Sequence, residues 1–108
     1  MTRAASSPVT GKWRIVEMEL WDNDFLDLLE PAYIAFDDKG LGEFVFGAVT
    51  AGLDCRYTPG GVDFTWQGHD EMDVACGSGS AEIEDDGTLT GKIRFHLGDE
   101  SGFKARRW

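Results

Sequence analysis

From Gly11 onward, apolar and polar side chains alternate in short runs separated by turn-forming residues. Such a period of two is the mark of strands with one face on a core. The first run, 11–20, carries a break in register: Trp13 and Ile15 share one face, whereas Val16, Met18 and Leu20 share the other. Either a bulge shifts the strand or both of its faces are covered. Residues 22–30 follow a different period. Asp22 can cap a helix, Phe25, Leu28 and Leu29 recur at helical spacing, and Pro31 ends the pattern. A short helix lying over one end of a sheet is expected. Strands then follow at 32–37, 42–50, 53–58, 62–67, 80–84, 91–97 and 102–108. The connections are tight, among them Asp37-Asp38-Lys39-Gly40, Pro59-Gly60-Gly61 and Asp85-Asp86-Gly87. Residues 68–79 are the least regular and read as a loop holding His69-Asp70-Glu71-Met72-Asp73.

Consecutive strands with short connections build an antiparallel meander, and closing it into a ring removes exposed edges. The predicted fold is therefore all-β: an eight-stranded antiparallel up-and-down barrel with one short helix after strand 1. Residues 1–10, small and polar, read as a flexible tail, and 11–108 as a single barrel domain. The length of 108 residues allows one core and little more.

Charge narrows the choice of partners. Acidic side chains outnumber basic ones 20 to 10, for a net charge of −10, and the one basic cluster is Lys104, Arg106 and Arg107. Such a surface repels phosphate backbones, so a nucleic-acid partner is not expected. No apolar run reaches the ~20 residues of a membrane-spanning helix. Met1 to Pro8 lacks the hydrophobic segment of a secretory leader, and a cytoplasmic location is expected. Cys55 and Cys76 then read as free thiols, without the paired spacing of a zinc site.

Little in the chain points to catalysis. The serines sit in no nucleophile elbow, no glycine-rich loop opens a helix, and Lys39 interrupts the one calcium-like turn. No catalytic residue, cofactor or metal site is assigned. The barrel interior is the first candidate site. Trp13, Phe36, Phe44, Phe46, Phe64, Trp66, Phe95 and Phe103 have the bulk to fill a narrow barrel. If Trp13 points inward without a bulge, however, Glu17 and Glu19 do too, and a buried carboxylate requires a partner such as Arg56 or Arg94. Glu17, Glu19, Arg56, Trp66 and Arg94 are the candidate ligand-binding set. His69 joins them from a loop able to close over a barrel mouth.

Gly11-Lys12-Trp13 at the start of the first strand resembles the Gly-x-Trp signature of the calycin superfamily, which includes lipocalins, avidins and fatty-acid-binding proteins. The helix after strand 1 and the Asp-Asp-Gly-Thr-Leu-Thr-Gly hairpin have the same look, as in small bacterial barrels of this type. The resemblance implies that the tryptophan sits at the closed end of the barrel, covered by an arginine of the last strand. Arg106 and Arg107 are the candidates, and parity with Phe103 and Ala105 favours Arg107. The chain is shorter than a typical lipocalin, so the fold is implied and ligand transport is not.

The leading functional expectation is a non-catalytic binding or interaction module. It would recognise a protein, basic in view of the surface charge, or a small molecule at one barrel end, near helix 22–30 and loop 68–79. Trp21 or Trp108 would serve as anchor. The alternative is a small-molecule sensor or enzyme with a polar lumen around Glu17 and Arg94 or His96. A third reading is homodimerisation through an open edge or an aromatic patch.

Overall fold

The computed structural model describes residues 7–108. Eight strands follow one another around a closed barrel: β1 (Gly11–Met18), β2 (Tyr33–Phe36), β3 (Leu41–Phe46), β4 (Val49–Thr58), β5 (Gly61–Asp70), β6 (Asp73–Ile83), β7 (Leu89–Phe95) and β8 (Glu100–Arg107). Every neighbouring pair is antiparallel, and β8 closes the ring against β1. One helical turn, α1 (Asn23–Leu26), follows β1. This is the all-β up-and-down barrel that the alternation predicts. No helix among the described residues is long and apolar enough to cross a membrane.

The two ends of the barrel differ. At one end lie the start of β1, the end of β8 and the turns after β2, β4 and β6. Ser7–Thr10 turns beneath this end, with Val9 fully buried and its carbonyl accepting a bond from Trp13 Nε1 at 2.9 Å. The last four residues of the expected tail are thus fastened to the barrel, while residues 1–6 lie outside the described residues. At the other end, Asp22 caps α1 by accepting from the Phe25 amide, and Leu26 inserts into the core. The helix is shorter than its sequence pattern: Leu28 and Leu29 are exposed, because the chain must turn back at Asp27 to enter β2.

A bulge settles the register of β1. Ile15 pairs with Ala105 but Glu17 with Lys104, so Val16 is the extra residue. Trp13, Ile15 and Met18 face the core in consequence, and Glu17 and Glu19 face solvent.

Large and small residues alternate across the interior. Phe64 pairs with Gly79, Trp66 with Gly77 and Phe103 with Gly91. A Cβ on Gly79 would stand 2.5 Å from the Phe64 ring, and one on Gly91 would stand 2.8 Å from the Phe103 ring. Each glycine vacates the volume its aromatic partner occupies, which is how a narrow barrel accommodates so many rings.

Candidate functional site

The barrel mouth opposite Trp13 is plugged. Trp21 packs on Phe46 and Phe95, with ring centroids 5.2 and 6.1 Å away, and the Gly47 amide donates to the Leu26 carbonyl at 2.8 Å. Beneath this lid, Trp66 lies 5.1 Å from Phe95 and 5.2 Å from Phe44. Ser101 is the one buried polar residue among those described, and its hydroxyl accepts from the Leu20 amide and donates to the Gly102 carbonyl. The interior is a packed core and, among the described residues, carries no charged side chain.

The residues expected to line a polar lumen do not converge. Glu17 is turned outward by the bulge, and Glu19 accepts from the Gly102 amide on the outer surface. Arg94 lies on the outer wall, where Nε donates to Glu100 at 2.6 Å. Arg56 is exposed opposite Asp63, and His96 is exposed beyond the end of β7. Trp66 alone faces inward, as core. The physical reason is the extra residue in β1, which spares the core two carboxylates. Trp21, expected as an exposed anchor, is committed to the lid; Trp108 remains 58% exposed.

Of the two closure candidates, Arg106 is exposed opposite Arg14, whereas the Arg107 guanidinium lies 3.9 Å from the Trp13 ring centroid. Arg107 also donates to the carbonyls of Thr10 (2.7 Å) and Pro8 (2.6 Å). Its fork therefore ties the entering segment to the last strand. Nothing about this contact resembles a reaction centre: it is a clasp.

The cysteines occupy opposite faces. Cys55 is buried, and burial pushes its thiol up to about 11, whereas Cys76 is exposed on the outer wall. Among the described residues, no three His, Cys, Asp or Glu side chains gather to hold a metal ion.

One concavity lies outside the barrel. A shallow groove of about 1040 Å³ crosses the outer wall from β3 to β7. Gly52, Thr65, Cys76 and Ser78 give it a low floor, and Leu41 and Leu97 are among its lining residues. Beyond it, residues 68–79 depart from the sequence reading. They form no loop; β5 and β6 run on and are joined by a turn through Glu71, at φ 57°, and Met72. His69 lies in this hairpin, opposite Thr50 and Val74.

The hairpin tip is both apolar and acidic. Met72 and Val74 are 94% and 81% exposed. Leu97, 94% exposed, follows His96, whose amide donates to the Cys76 carbonyl, so the β7–β8 turn stands beside the start of β6. Asp70, Glu71, Asp73 and Asp99 surround these three side chains in sequence and are exposed. The tip has a free margin as well. β7 pairs with β6 only from Gly77 onward, so Asp73–Ala75 has a ladder partner in β5 alone. Sequence reading named residues 68–79 as a candidate site but missed the strands there, because the inward positions of β6 are Gly77, Gly79 and Ala81, too small to register as a hydrophobic alternation. The usable signal was the bare apolar pair Met72 and Val74 among acids. Comparison of the chain with protein-family models, with curated proteins and with solved structures finds no match.

Proposed function

We propose that this protein is a non-catalytic interaction module that docks a partner protein at the tip of the β5–β6 hairpin. The observation that carries the reading is that Met72, Val74 and Leu97, the three most exposed large apolar side chains among the described residues, share one neighbourhood of the barrel. Exposed apolar side chains rimmed by polar ones favour association over solvation. Around them stand Asp70, Glu71, Asp73 and Asp99, which favour a basic partner. The filled interior speaks against carriage of a small molecule within the barrel. Placement among calycin-like barrels draws support from Gly11-Lys12-Trp13 and the Arg107 clasp, and a reducing, cytoplasmic setting from the two unpaired thiols.

The test compares capture from native lysate by the unaltered protein and by a D70K/E71K/D73K variant. The expected result is loss of the captured proteins with the variant. An unchanged set would overturn this choice of surface.

A further inference from the structure

Resting on the docking reading above, we infer that the hairpin tip recognises an extended basic segment, which adds to the barrel as a further strand along the unpaired stretch of β6, Asp73–Ala75. A closed barrel offers few places for strand addition, since each wall strand is bonded on both sides. The start of β6 is one of them. The Cys76 carbonyl accepts from the His96 amide, so the backbone groups of Cys76 point toward β7. Groups two residues apart along a strand point the same way. The N–H and C=O of Val74 therefore face the same side, beyond the last β6–β7 register pair at Gly77 and Phe95. After His96 the chain turns through Leu97, at φ 57°, and the amide of Gly98 and carbonyl of Asp99 bond back to Phe95 rather than to Asp73–Ala75. An open edge with exposed apolar side chains is the arrangement that strand-adding peptides use.

Charge selects the occupant. Asp70, Glu71 and Asp73 belong to the hairpin and Asp99 to the adjoining turn, and Arg94, the nearest guanidinium in these segments, is engaged by Glu100. A second copy pairing edge to edge would bring Asp73 and its neighbours against the same acids, which disfavours self-association. A segment that alternates lysine or arginine with β-branched residues meets both demands. Its apolar side chains cover Val74 and Leu97, and its cations approach the carboxylates.

The probe is a seven-residue peptide of alternating lysine and valine, capped at both ends, titrated into the full chain while amide exchange is followed by NMR. The expected result is saturable binding with at least tenfold slowing of exchange at the Val74 amide, weakened by raising salt from 50 to 500 mM. A peptide with aspartate in place of lysine should leave the Val74 amide unprotected. Val74→Pro removes the edge donor without breaking the β5 ladder, because that N–H points away from β5. Affinity for the lysine peptide should fall about tenfold, as expected for loss of an edge hydrogen bond together with apolar contact. Val74→Thr, which keeps the donor, should retain most of the affinity. Binding that leaves the Val74 amide exchanging freely, or no binding at millimolar peptide, would overturn strand addition. If captured proteins were still lost with D70K/E71K/D73K in that case, docking at the tip would stand and only its mode would fall.

Discussion

Arg107 makes three contacts at once, stacking on Trp13 and donating to the carbonyls of Thr10 and Pro8. Arg107→Ala should cost about 1–3 kcal/mol in urea denaturation, combining a cation–π contact with charge-assisted hydrogen bonds. Arg107→Lys should recover only part of it, since one ammonium cannot reproduce a planar fork. At Asp27 the prediction concerns pH. Arg14 grips this carboxylate through both guanidinium nitrogens, at 2.8 and 2.6 Å, and the Ala32 amide adds a third bond. Arg14 first, and Ala32 second, hold the carboxyl down at about 2. A carboxylate whose pKa is lower in the folded state stabilises the fold above its unfolded pKa of about 4. That contribution is lost as pH falls from about 4 towards 2. Acid titration of the urea midpoint should therefore be steeper for the native chain than for Asp27→Asn across that window. At the cysteines, a thiol reagent should modify Cys76 promptly in the folded protein, while Cys55, buried and pushed up to about 11, reacts only on unfolding.

Among the strands, the pairing of aromatic with glycine sets what the wall tolerates. Gly79→Val would drive methyl groups into the Phe64 ring and toward the Lys92 carbonyl, both 2.5 Å from the first added carbon. A loss of about 1–3 kcal/mol is expected in thermal or urea unfolding. Gly52, on the groove floor, has no atom within 4 Å of that position, so Gly52→Ala should leave stability level or slightly raised. The same pairing explains what could be read from the sequence. β5 alternates Val62, Phe64 and Trp66 with polar residues and was legible, whereas β4 was legible only from Leu53, where Leu53 and Cys55 alternate with Asp54 and Arg56. The turn at 47–48 was missed, and Val49 and Thr50 were read into the preceding strand. β6 was legible only near its end, because its partners' rings fill the space its own side chains would take. Helix 22–30 was over-read for a related reason: the apolar spacing of Phe25, Leu28 and Leu29 is genuine, but only Phe25 and Leu26 have a surface to pack on. Glu17 and Glu19 turned on a single inserted residue, which the uneven pattern of 11–20 announced without saying which way it would resolve.

Across the whole molecule, the two ends differ in charge. Glu19, Asp22, Asp24, Asp70, Glu71, Asp73 and Asp99 gather at the lid end. At the Trp13 end Lys12, Lys39, Lys104, Arg106 and Arg107 stand among Asp37, Asp38, Glu84, Asp85 and Asp86, so the lid end is the more one-sidedly acidic. Two copies approaching by their exposed apolar tips would meet as like charges. Light scattering at low salt should therefore report a monomer over a wide concentration range, and a dimer there would favour the homodimer reading over docking of a foreign segment. The clasp has a topological consequence too. Because Arg107 meets Pro8 and Thr10, the start and finish of the described chain leave the barrel side by side, on the side remote from Met72. A short flexible linker could join them and new termini be cut at the Pro59-Gly60 turn, giving a circular permutant with the same ring of strands in a different chain order.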